Sequence, residues 1–121
     1  MSGKIERPVP GQPVRGSGTG RPIMALLDLL GRRWALRVLW ELRDGPPPTF
    51  RGLQAECGGV SSSVLSSRLG ELTEAGIVHR VDEGYALTDE GRKLVDSLDG
   101  MNEWAHRWAD RAAESGHLLE G

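Results

Sequence analysis

The sequence predicts a mainly α fold of the α+β class: a winged helix-turn-helix with a short β-hairpin wing and a long C-terminal dimerisation helix. Three stretches carry this reading. In the first, GGVSSSVLSSRLGELTEAG at Gly58 to Gly76, Leu65, Leu69 and Leu72 recur at i, i+4 and i+7 and form one helical stripe turned to a core. At about 100° per residue, Ser63, Ser67 and Gly70 point the opposite way with Ser66 on the flank, so the outer face is polar and nearly free of bulk. In the second, IVHRV, a DEG turn at Asp82 to Gly84 and YAL make a tight hairpin. In the third, Leu87, Gly91, Leu94, Leu98, Met101, Ala105, Trp108 and Ala112 advance by alternating steps of four and three, the heptad seam that packs one helix along another.

The elements follow in order. Residues 1–20 are rich in Gly and Pro and poor in large apolar side chains, so they predict a flexible arm, with residues 21–121 as the folded domain. The GSGTG at Gly16 to Gly20 lacks the spacing of a phosphate loop and follows no strand, which makes it linker. Lys4, Arg7 and Arg15 could add nonspecific contacts to DNA from that arm. Pro22 suits a first helical turn, and Met24, Leu26, Leu27, Leu29 and Leu30 make the first helix apolar almost all round before Gly31 stops it. A second helix, about Arg32 to Arg43, turns Ala35, Val38, Leu39 and Leu42 to the core and leaves Leu36 and Trp40 as a second apolar patch, the mark of a partner or a pocket. Arg32 and Arg33 are expected to solvate its start. Asp44, Gly45 and the three prolines at 46–48 then extend the chain. Thr49 caps a short helix with Phe50 and Leu53 inward, which breaks at Gly58 and Gly59. Ser61 caps the helix after it, completing a helix-turn-helix. Gly76 closes that helix. After the hairpin, Thr88 caps the long last helix, about residues 88–114, with Asp89 and Glu90 placed to suit its dipole and a bend expected at Gly100.

Composition bounds the function. At 121 residues and 38% hydrophobic content the chain holds one modest core. Its apolar runs fall far short of the roughly 20 residues that span a bilayer, and it shows no signal-peptide pattern, so a soluble cytoplasmic protein without membrane contact is expected. Cys57 is alone, and His79, His106 and His117 do not cluster, so neither a disulfide nor a metal is expected, and no cofactor. No nucleophile, base and orienting group recur at catalytic spacing, which argues against an enzyme. The net charge of −2 is unevenly spread: residues 21–80 carry +2 and residues 81–121 carry −6. One half can face phosphates while the other is turned away.

DLLGRRWALRVLWELRDGP at Asp28 to Pro46, TFRGL at Thr49 to Leu53, VSSSVLSSRLGELTEAGIVHR at Val60 to Arg80 and YALTDEGRKL at Tyr85 to Leu94 together resemble HxlR-type winged helix-turn-helix transcriptional regulators, relatives of the MarR class. The match runs from about Arg21 to Trp108. The resemblance implies a dimeric regulator with its terminal helices at the dimer interface, a recognition helix at about Ser61 to Ala75 and a wing at Val78 to Leu87. Three departures qualify it. Arg21 stands where many members have a redox-sensing Cys, so thiol sensing at that site is absent. The wing is short and carries Asp82 and Glu83, which leaves Arg80 alone to reach DNA from it. Ser63 and Ser67 replace the Lys or Gln common in the family, so base readout is expected to be weaker or to rest more on shape.

These readings converge on a sequence-specific regulator, expected to be a repressor, that binds a pseudo-palindromic double-stranded operator as a homodimer. The residues expected at DNA are Ser61, Ser62, Ser63, Ser66, Ser67, Arg68, Arg51 and Arg80. Arg68 also flanks the apolar stripe, where it could instead pair with Glu71. Leu94, Leu98, Met101 and Ala105 are expected at the dimer interface. Leu36, Trp40, Trp104 and Trp108 are expected to line a pocket for a small apolar or aromatic effector, against the simpler reading that these Trp residues pack the dimer. Cys57 reads as a small buried apolar residue. The alternative is a dimeric winged-helix binding module for a small molecule or a protein, with weak or no DNA affinity.

Overall fold

The computed structural model describes residues 20–114, so the arm expected over residues 1–20 lies outside the described residues except for Gly20. Helices α1 (Pro22–Leu30), α2 (Ala35–Glu41), α3 (Phe50–Glu56) and α4 (Ser62–Glu74) lead into strands β1 (Val78–Val81) and β2 (Gly84–Leu87), followed by α5 (Asp89–Asp96) and α6 (Asp99–Glu114). The strands pair antiparallel, with Val78 opposite Leu87 and Val81 opposite Gly84. Thr49 makes an isolated bridge to Gly84, and Tyr85 N–H donates to the Pro48 carbonyl at 3.0 Å, which ties the proline segment to the hairpin's inner edge. This is the expected winged helix-turn-helix.

Local chemistry sets the boundaries of the central motif. Thr49, Ser61 and Thr88 each use their hydroxyl to accept a hydrogen bond from the first turn of the helix that follows, at Gly52, Val64 and Gly91 respectively. Helices α3 and α4 both end in a glycine at positive φ, Gly58 at 83° and Gly76 at 80°. Each ending closes with a paired return: Gly59 N–H to the Gln54 carbonyl and Gly58 N–H to Ala55 after α3, Ile77 N–H to Leu72 and Gly76 N–H to Thr73 after α4. Leu39, Leu53, Leu65 and Leu72 are fully buried between the helices, and Val95 brings α5 into the same core. Burial of these side chains is what holds the helix-turn-helix against α2 and the hairpin.

Three expectations need correction. The last helix is two helices, broken at Ser97 and Leu98 rather than bent at Gly100; Ser97 N–H reaches the Leu94 carbonyl and Leu98 N–H the Val95 carbonyl, both i to i−3 bonds that tighten the turn. The heptad seam divides there. Leu94, expected in the dimer interface, is half-buried and packs against the domain core, whereas no residue of α6 is buried. Third, α2 starts at Ala35, because the residue that turns the chain after α1 is Trp34, at φ 76°; Gly31 stays right-handed at −78°.

Candidate nucleic-acid interface

Helix α4 is held from one side and bare on the other. Its inner stripe, Leu65, Leu69 and Leu72, is buried, while Ser61, Ser62, Ser63, Ser66, Ser67 and Gly70 are all exposed. Two hydroxyls at its start are already acceptors: Ser61 Oγ takes the Val64 N–H at 3.2 Å and Ser62 Oγ takes Nε2 of Gln54 at 3.2 Å. Each hydroxyl keeps its own hydrogen to donate, which suits a phosphate or base acceptor. Gln54 also donates to the Val60 carbonyl at 2.8 Å, bracing the turn that sets the start of α4. Sequence reasoning passed over Gln54; the signal was an amide side chain on α3 just before a Gly-Gly turn.

The cationic residues divide. Arg51 is exposed near the start of α3, and Arg80 is exposed on β1 with its guanidinium carbon 5.3 Å from the Tyr85 ring centre across the hairpin. Arg68 does not face outward as expected of a phosphate contact. Its Nε donates to the Arg33 carbonyl at 2.8 Å and its Nη1 to Glu71 Oε1 at 2.8 Å, so the guanidinium is engaged within the domain. Arg32 was expected to solvate a helix start and is instead nearly buried. Its Nη1 lies 3.1 Å from Glu71 Oε2 and its Nη2 lies 3.0 Å from Asp28 Oδ2. Glu71, 4% exposed, thus receives one arginine on each oxygen. The reason is positional: Arg68 and Glu71 lie on the flank of α4 that abuts the α1–α2 corner.

Among the described residues, none of the four expected to line an effector pocket is buried. Trp104 and Trp108 stack on each other at 5.9 Å on α6 and are 50% and 44% exposed, on a helix none of whose residues is buried among the described residues. Leu36 is exposed on α2, and Trp40 is half-buried with the Arg43 guanidinium 3.6 Å from its ring centre. Of the residues expected at the dimer, Met101 and Ala105 are exposed on α6 and Leu98 is half-buried at the break. Ile23 and Leu27 on α1 are a further exposed apolar pair. Among the described residues there is no group of His, Cys, Asp and Glu that could hold a metal ion, and no helix is long and apolar enough to cross a membrane.

A helix-turn-helix followed by a two-stranded wing is the fold on which this chain is compared with known proteins. The model of the HxlR-like helix-turn-helix family matches residues 29–113. The chain belongs to the HxlR-like helix-turn-helix family. The HTH-type transcriptional regulator YvaP of Bacillus subtilis is 34% identical over 91 residues, 69% of this chain and 83% of YvaP. The crystal structure of quinone-bound YodB from B. subtilis superposes with a TM-score of 0.65 at 32% identity, covering 70% of this chain and 96% of that one. A structure described as a possible HxlR family transcriptional factor from Thermoplasma volcanium gives a TM-score of 0.63 at 29% identity, covering 71% and 82%. This HxlR-type chain is therefore similar to transcriptional regulators over most of the length of each.

Proposed function

We propose that this HxlR-type protein is a sequence-specific DNA-binding repressor that acts as a homodimer on a pseudo-palindromic operator. The observation that carries the reading is the exposed outer face of α4, where Ser63, Ser66, Ser67 and Gly70 present hydroxyls and no bulk while the opposite face is locked in the core. Such a face fits the major groove. Arg51 and Arg80 flank α4 in the chain and supply phosphate contacts; Arg68 serves structure instead. Half-site centres are expected about one helical turn, roughly 34 Å, apart or a multiple of it. The test is selection of duplexes from a random-sequence pool, followed by titration against salt. Binding to a two-fold symmetric site with a negative salt slope is the expected result; no salt-dependent binding to any duplex would favour the binding-module reading.

The dimer reading is supported by two apolar faces exposed among the described residues: Ile23 and Leu27 on α1, and Met101, Trp104 and Trp108 on α6. An effector is part of the proposal because one relative was solved with a quinone bound. A flat apolar molecule would meet Leu36, Trp40 and the Trp104–Trp108 stack only where the second copy closes over them. Its coupling to DNA must be reciprocal. Equal affinity of a quinone for the free and DNA-bound protein, followed by Trp fluorescence, would remove the effector from the proposal.

A further inference from the structure

The least economical feature of the domain is its buried charge. Glu71 and Arg68 of α4, Arg32 of the α1–α2 turn and Asp28 of α1 form a chain of ion pairs at 2.8–3.1 Å, with side chains 3–18% exposed. Ion pairs at such depth lose much of their attraction to desolvation, and apolar residues of similar volume often replace them with no loss of stability. Their best-attested use is to enforce one arrangement where apolar packing allows several.

Helix α4 has that need. Its seat in the core is made by three leucines, and hydrophobic contact is not directional. A roll of about 20° about its own axis, at a helix radius of roughly 5 Å, would carry an outward hydroxyl by nearly 2 Å. That displacement is most of a hydrogen bond's length. The charged chain opposes such a roll from one flank. Glu71 Oε2 is tied to Arg32, Glu71 Oε1 to Arg68, and Arg68 Nε to the Arg33 carbonyl, so α4 is fastened twice to the α1–α2 corner in directions that tolerate little rotation.

We infer that Glu71, through Arg32 and Arg68, is a positioning residue of the DNA interface that fixes the roll of α4 and so decides which side chains face the groove. The inference rests on the DNA-binding reading above. Asp28 extends the chain into α1, so α1 and α4 are held in one frame through Arg32.

The test separates orientation from stability. Two variants are compared with the wild-type protein: Glu71→Gln, and the combination Asp28→Asn, Arg32→Met, Arg68→Met and Glu71→Leu, which exchanges the charges for side chains of similar size. Each is titrated with the duplex the wild type selects from a random pool and with an unrelated duplex at the same salt, and its thermal unfolding is recorded. The combination should unfold no earlier than wild type, hold the unrelated duplex within about twofold, and lose about tenfold or more on the selected duplex, the scale of one good base contact. Glu71→Gln should show the same loss of selectivity, and it carries the comparison if the combination does not fold. A folded variant with wild-type selectivity would overturn the inference. Failure of the wild type to prefer any duplex would instead overturn the DNA-binding reading, and that result is seen before any variant is made.

Discussion

Cys57 illustrates how an environment settles a side chain's chemistry. It is 1% exposed at the end of α3, and burial pushes its thiol above the ordinary range, with the Arg37 guanidinium pulling the other way. The thiolate is the reactive form, so this thiol is shielded twice, by access and by protonation. Because the folded pKa is raised, the neutral thiol stabilises the fold below the usual thiol range, and that contribution fades as pH rises through the folded value. Alkylation by iodoacetamide near neutral pH, followed by mass, should be slow in the native protein and fast after unfolding; rapid native labelling would show an accessible, sensing thiol. The two other arginines of interest make the opposite contrast. Arg51→Ala should leave unfolding unchanged and flatten the salt slope of DNA binding by about one, whereas Arg68→Ala should lower the unfolding temperature because it leaves Glu71 Oε1 without its arginine. Arg68→Ala with unchanged stability and a flatter slope would return it to the phosphate.

At the scale of elements, the junction between wing and α5 is the most tightly specified. Thr88 Oγ1 accepts from Gly91 N–H and approaches the Gly76 carbonyl at 2.6 Å, while its backbone N–H donates to the Ile77 carbonyl at 3.0 Å. Gly91 presses on the same carbonyl: a Cβ there would lie 2.0 Å from the Ile77 oxygen. Gly91→Ala should therefore destabilise by about 1–3 kcal/mol or more, and Thr88→Ala by about 1 kcal/mol through loss of the cap, both read from denaturant unfolding. A neutral Gly91→Ala would mean that the junction yields. Caps, glycine endings and the hairpin were legible in the sequence because each is written within a few residues: Ser61 ahead of its helix, Gly76 after it, DEG between two apolar runs. The leucine stripe of α4, and with it the outer face of the candidate site, was legible for the same reason. What escaped was long-range. Nothing near Arg32 announces Glu71, 39 positions away, so Arg32 read as a surface residue, whereas the pair of Arg68 with Glu71, three positions on, was legible as the alternative to a DNA contact. The break at Ser97 and Leu98 escaped because the apolar period runs through it unbroken, although the side chains before it turn to the core and those after it do not.

For the whole molecule, the proposed homodimer turns on the α6 end of the described residues, where no side chain is buried. Replacing Leu98 and Met101 with Glu should convert the homodimer to monomers in sedimentation, and binding to a symmetric operator should weaken with it; a wild-type protein that sediments as a monomer at micromolar concentration would remove the two-fold operator. The same end has a thermodynamic meaning of its own. Helix α6 has 16 residues, none of them buried among the described residues, and a free helix of that length is marginal in water. If its order is drawn from the proposed association, the helix content of the protein becomes a function of how much protein there is. Far-ultraviolet ellipticity should fall on dilution from micromolar to nanomolar, with the α1–α5 body still folded. In a cell, copy number would set two quantities together, the fraction of chains that are paired and the fraction whose last helix exists at all, giving a sharper dependence of operator occupancy on expression level than pairing of rigid chains alone.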